Sequence, residues 1–212
     1  MRRLSHAAVL AGALAGCSGS IGPYDLGDDG FIIPAGACTF NPADAPGAER
    51  LGRVTGVNGC KISEPWRLHT VSNIRLSVPA TVSCGVISPL HGWLTDIVQP
   101  AAGRAFGEQV ASVDVAASYA CRPRNSNRGA KMSEHGLGKA IDISAFTLMS
   151  GRKVTVAAGW YGSTAERAFL REVHKKACGR FSTVLGPAAD GYHRDHIHLD
   201  IQARKSGNAF CH

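Results

Sequence analysis

The sequence predicts an α+β fold: a small antiparallel sheet with flanking helices, stapled by disulfides. Three observations predict it. Near the C-terminus Ile197, Leu199 and Ile201 fall on one side of the chain and His196, His198 and Asp200 on the other, the period-two alternation of a strand. Leu90, Trp93, Leu94, Ile97 and Val98 recur at helical spacing, as do Ala168, Leu170, Val173 and Ala177. Beyond Cys17, six cysteines are spread along the chain (Cys38, Cys60, Cys84, Cys121, Cys178 and Cys211), an even count suited to disulfides.

The chain opens with Arg2 and Arg3, then a short apolar run from Ala7 to Ala15, then Leu14-Ala15-Gly16-Cys17. Residues 1–16 read as a secretory signal, too short to span a bilayer as a mature helix. A cysteine directly after Leu-Ala-Gly resembles the bacterial lipobox, which makes Cys17 the acylated first residue. An ordinary cleaved signal that leaves Cys17 free is the alternative. Ser18 in place of an aspartate implies, by the same resemblance, the outer membrane of a Gram-negative envelope, with the domain on the periplasmic face. Residues 17–36, rich in Gly and Asp, read as a flexible tether. The domain follows as residues 37–212, and its first part, 37–82, reads as a lead-in of loops and a few short strands held by Cys38 and Cys60.

Ser88 to Phe106 is expected as a helix that Pro100 kinks or divides. Gln109 to Ala120, Ala140 to Phe146 and Lys153 to Ala157 are expected as strands, and Thr164 to Phe181 as a second helix with Glu166, Arg167, Arg171 and Lys175 exposed. A loop from Gly186 to Gly191 delivers the chain to the histidine strand.

Export favours disulfides over thiols, and no Cys-x-x-Cys pair points to a thiolate zinc site; fifteen pairings of six cysteines stay open. The formal charge of +7 falls by two, to +5, when residues 1–16 are removed with Arg2 and Arg3. Such a surface suits anionic wall polymer or lipid headgroups. Nucleic acid is not expected, since no basic run is interleaved with aromatics. A serine hydrolase is poorly supported too, without a Gly-x-Ser-x-Gly elbow.

The chemistry gathers in two stretches. His193-Arg194-Asp195-His196-Ile197-His198-Leu199-Asp200 offers imidazoles on one strand face. Upstream, Ser133-Glu134-His135-Gly136-Leu137-Gly138-Lys139-Ala140-Ile141-Asp142 adds a histidine and a carboxylate, joined by glycines that permit a tight path. Asp142 lies in an apolar run, where a carboxylate is costly unless paired or metal-bound. His135, Asp142 and His198 make a mixed N/O set of three, which leaves a fourth tetrahedral position for water, the pattern of a catalytic zinc ion.

The motif Ser-x-His-x-x-Gly-x-Ala-x-Asp at 133–142, followed by a His-x-His strand, resembles the LAS metallopeptidases, a group that includes D-alanyl-D-alanine carboxypeptidases, the penicillin-insensitive murein endopeptidases and the hedgehog signalling domain. More closely, Cys84, Ser118-Tyr119-Ala120-Cys121-Arg122, Ser133-Glu134-His135, Val184-Leu185-Gly186-Pro187, His193-x-Asp195-His196-x-His198 and Phe210-Cys211 resemble the bacterial extensin-like C-terminal domain family. The LAS resemblance implies a LAS/hedgehog-like fold with Zn2+ on His135, Asp142 and His198. Asp195 stands where many LAS enzymes carry a glutamate general base, and its side chain is shorter. His193 and His196 match the murein endopeptidase spacing and would stabilise an oxyanion or orient substrate. Arg122 takes the place of the arginine that precedes the metal motif, as a fork for a carboxylate or oxyanion. Ser133 and Arg124 are expected as substrate-binding or supporting groups, and Arg128 and Lys131 as part of a basic rim. The implied function is a zinc peptidase that cuts peptide cross-links in peptidoglycan; the alternative is a zinc-containing module that binds wall or a partner without catalysis.

Overall fold

A computed structural model describes residues 40–62 and 64–212, together with the backbone of two short antiparallel strands, β1 (Tyr24–Leu26) and β2 (Ile32–Pro34), which belong to a separate unit. The expected signal peptide, the lipidation candidate Cys17, the rest of the tether and Cys38 lie outside the described residues. No described helix is long and apolar enough to cross a membrane.

The domain contains strands β3 (Glu49–Arg50), β4 (Val54–Thr55), β5 (Lys61–Ile62), β6 (Pro65–Val71), β7 (Ile74–Ser83), β8 (Val110–Ala117), β9 (Ala140–Leu148), β10 (Lys153–Thr155), β11 (Thr183–Leu185), β12 (Ile197–Asp200) and β13 (Phe210–Cys211). Its helices are α1 (Ile87–Trp93), α2 (Gln99–Phe106), α3 (Val156–Gly159) and α4 (Thr164–Ala177). The mixture of sheet and helices is as expected, but the sheet is neither small nor wholly antiparallel. It has nine strands in the order β13-β11-β12-β9-β8-β7-β6-β3, with β10 beside β9, and the β7–β8 and β11–β13 pairings are parallel. A parallel pair needs a long crossover, and the helical segment between β7 and β8 supplies one. The enlargement comes from residues 65–83. Expected as the end of a loop-rich lead-in, they form two full strands whose Leu68, Val71, Ile74, Leu76, Ala80 and Val82 are buried in the core.

The helix expected over 88–106 forms as α1, a π-helical turn at Leu94–Val98, and α2. Pro100 has no N–H to donate, and the turn just before it widens so that the Gln99 N–H bonds the Leu94 carbonyl. Helix α4 starts at a capping box in which Ser163 and Glu166 satisfy each other's backbone N–H groups.

Helices α1, α2 and α4 back one face of the sheet. Trp93 donates its indole N–H to the Val173 carbonyl at 2.9 Å, and Phe146 meets Phe169 edge-on at 5.0 Å. Ile141 and Ile143 of β9 point into this core, so strand alternation turns Asp142 to the opposite face. A register irregularity against β8 at Asp114/Val115 inserts an extra residue into β9 and returns Phe146 and Leu148 to the core side. Two disulfides, Cys60–Cys121 and Cys178–Cys211, staple the domain, and Cys84 is disulfide-bonded as well.

Candidate functional site

His198 on β12 lies directly opposite Asp142 on β9 in the antiparallel register, so both side chains leave the same face of the sheet. His135 arrives from the 3-10 turn Glu134–Leu137 that precedes β9. Ser133 caps that turn, its buried hydroxyl accepting the His135 N–H at 3.4 Å. The turn closes at Gly138, which is left-handed (φ 66°); a Cβ there would sit 2.5 Å from Ile62 Cδ1, and one at Gly136 would sit 2.5 Å from Met132 Sδ. Gly138 is therefore required by conformation and by close packing, while a side chain at Gly136 would have to push the end of Met132 aside.

The three side chains converge. His135 Nε2 is 3.2 Å from Asp142 Oδ2 and 3.2 Å from His198 Nδ1, and His198 Nδ1 is 2.8 Å from Asp142 Oδ1. The far nitrogen of each ring is also engaged. His135 Nδ1 lies 2.7 Å from the Ser118 carbonyl, which can only accept, so that nitrogen carries its hydrogen. His198 Nε2 lies 3.0 Å from Asp200 Oδ2, with the same consequence. Both rings thus turn a lone pair, and Asp142 a carboxylate, toward one point. Acceptors that face one another call for a positive charge between them, a proton or a metal ion. All three ligand atoms lie within 4.8 Å of one another, and the group could hold a metal ion; the two nitrogens and one oxygen suit zinc. Asp200 holds the outer nitrogen of His198, as a carboxylate commonly does for a histidine at zinc sites.

The titration behaviour follows from the geometry. Burial alone raises the Asp142 carboxyl, but hydrogen bonds from His135 and His198 outweigh it and hold the group well below the usual carboxylate range. Burial disfavours a charged His198, yet hydrogen bonds to Asp142 and Asp200 push its pKa up to about 9. Without a metal ion, a proton fills the gap.

The remaining expected residues take distinct places around this centre. His196 points Nε2 toward Asp142 Oδ2, 3.6 Å away, and its Nδ1 is held by Asp195 Oδ1 at 2.8 Å. Asp195 itself is 74% exposed and faces the back of His196. His193 is buried, its ring tilted against His196 at 5.3 Å and edge-on to His198 at 5.7 Å, with Nδ1 2.7 Å from Asp190. Burial lowers its pKa, and Asp190 offsets part of that. Arg122 is half-buried and lines the cleft, with no ion pair among the described residues. Arg124 is paired to the buried Glu134 at 3.2 Å, which makes it a support for the turn. Arg128 and Lys131 are exposed.

A family model decides the membership that the motifs suggested. The chain belongs to the extensin-like protein C-terminus family. The family model spans residues 39–212, so the His135/Asp142/His198 triad, the Arg122 loop and both described disulfides all fall inside it. No curated protein and no solved structure matches the chain.

The triad of this extensin-like domain lies in a cleft of about 540 Å³. Sequence reasoning gave no role to several of its residues. Asp200 was on the histidine face and its position two residues after His198 was the available signal; Asp190, three residues before His193, gave a weaker one. Glu134, whose carboxyl is pushed up by burial and by Asp200, sits inside the motif itself. Thr183, Gln202, Arg204 and Phe210 also line the cleft. Nothing in the local sequence marked the first three: Thr183 is brought near by the pairing of β11 with β12, Gln202 by its place just after β12, where its N–H bonds Asp200, and Arg204 by its bond to Thr183.

Proposed function

We propose that this chain is a zinc-dependent peptidase acting on the peptide part of peptidoglycan, with His135, Asp142 and His198 as the metal ligands and a LAS-type relationship behind them. The observation that carries the reading is the set of three convergent acceptors whose outer hydrogens are already committed to Ser118 and Asp200. A zinc ion held there supplies an acidified water and a polarised scissile carbonyl. The chain supplies the rest. His196, fixed through Nδ1 by Asp195, accepts a proton at Nε2 and returns it to the leaving amine. Asp195 acts through His196, which answers the short reach of an aspartate where a glutamate is usual. His193, its Nδ1 hydrogen held by Asp190, lies beside His196 with Nε2 free to accept a hydrogen bond and so to orient the substrate. Arg122 orients a substrate carboxylate at the mouth. The leader and Cys17 support a lipid-anchored protein on the periplasmic face of the outer membrane, within reach of the wall.

The test is elemental analysis of the mature domain followed by digestion of purified peptidoglycan, with products identified by mass spectrometry. About one zinc ion per chain and new free termini, both lost in His198→Ala, are the expected results. Bound zinc without products on any wall substrate would make it a binding module, and no zinc would end the metal reading.

A further inference from the structure

Beyond the triad, the cleft has a second arm built by register. On β12, β11 and β13, Asp200 pairs with Thr183 and Thr183 with Phe210, so these three form a row across the sheet that leads from the metal ligands to its edge. Arg204 closes the end of that row. Its Nε donates to the Ser182 carbonyl at 3.0 Å, its Nη2 donates to Thr183 Oγ1 at 2.7 Å, and its guanidinium carbon lies 5.1 Å from the centre of the Phe210 ring. Every one of these partners is uncharged, and among the described residues Arg204 makes no ion pair. Other arginines of the domain contrast with it: Arg124, Arg104, Arg152 and Arg180 each hold a carboxylate. A half-buried guanidinium fixed on two edges, stacked on a ring and left without a counter-charge inside a cleft, is a preorganised anion receptor. A surface arginine serving stability alone needs no such aim.

We infer that Arg204, with Thr183 and Phe210, forms a subsite for a free carboxylate of the bound peptide, one residue or more from the scissile bond. This rests on the reading of the cleft as a peptide site. It adds that the substrate is an anionic peptide, held at two separated points, by Arg122 beside the metal-binding turn and by Arg204 on the far side of β12. The apolar face of Phe210 and the fork of Arg204 together favour a carboxylate carried on an aliphatic stem.

The experiment compares binding of a synthetic wall stem tetrapeptide with free carboxylates and its fully amidated counterpart, by calorimetry on the full mature chain with and without zinc. Wild type is expected to bind the acid at least about tenfold more tightly than the amide in both states, the range of a charge-assisted hydrogen bond. Arg204→Gln should cut that preference to the part that Arg122 supplies, and Arg204→Lys should keep more of it. Thr183→Val, which removes the Nη2 acceptor, should reduce it even if Arg204→Gln fails to fold. Two singly amidated peptides assign the contact to a terminal or a side-chain carboxylate. A wild type without preference, or a preference undiminished in Arg204→Gln and Thr183→Val, overturns the subsite. Cleavage is scored separately, so a subsite that binds without turnover would sink the peptidase and leave the receptor standing.

Discussion

At the scale of single residues, the proposed zinc ion would compete with a proton for one position. His198, raised to about 9, holds a proton at neutral pH that a metal ion must displace. Zinc binding should therefore release about one proton from His198 at pH 7, and less as the pH rises through 9; calorimetry in buffers of different ionisation enthalpy measures this directly. The metal-free protein should show the same group in its stability. A raised histidine stabilises the fold fully below its ordinary 6.5 and loses that contribution as the pH climbs through about 9. The depressed Asp142 works in the other direction, contributing above the usual carboxylate range and fading only in strong acid. The melting temperature of the metal-free domain should accordingly fall between pH 7 and 10. Two variants separate holding the ion from using it. Asp200→Asn removes the negative charge behind His198 and should weaken zinc about 10- to 100-fold by titration against a chelator. His196→Gln should keep zinc and lose about 10²- to 10⁴-fold in kcat. A matching loss of zinc in His196→Gln would make that ring a ligand instead.

At the scale of elements, what could be read from the sequence depended on whether an element's partner lay close by. Helix α4 announces itself through its spacing, and Asp142 was legible as out of place because its neighbours Ile141 and Ile143 are apolar. Strand β7 was not legible as sheet core, since its pairing with β8 depends on a parallel crossover that no local pattern encodes, and β6 reaches the sheet only through β7. The same limit hid Thr183 and Arg204, which become neighbours of the ligands only through β11. Where an element is set by one residue, a substitution should show it. Gly138→Ala must adopt a left-handed backbone and also meet Ile62 at 2.5 Å, so it should destabilise the domain by about 1–3 kcal/mol and weaken zinc binding at His135. Denaturant unfolding and a zinc titration on the same sample check both effects. Equal stability to wild type would mean that the turn relaxes freely.

At the scale of the whole molecule, the two described disulfides hold opposite ends of the cleft. Cys60–Cys121 joins the end of the lead-in to the segment bearing Arg122, and Cys60 Sγ packs 3.4 Å from Met132 Sδ beneath the turn that carries His135. Cys178–Cys211 ties the end of α4 to β13, where Phe210 stands under Arg204. Sequence separations of 61 and 33 residues place both loops near 4 kcal/mol of stabilisation in the chain-entropy account, so the global cost of losing either should be similar, about 4 kcal/mol. Their local effects should differ. The double variant Cys60→Ser/Cys121→Ser loosens the floor of the His135 turn and should lower zinc affinity at a temperature where the protein remains folded. Cys178→Ser/Cys211→Ser frees the sheet edge and should leave zinc affinity near wild type while eroding the preference for a carboxylate-bearing peptide. Zinc titrations and peptide calorimetry on the two double variants give the comparison. If both lost zinc equally, the metal centre and the Arg204 arm would behave as one mechanical unit; a divided result would mean that each disulfide braces its own half of the cleft.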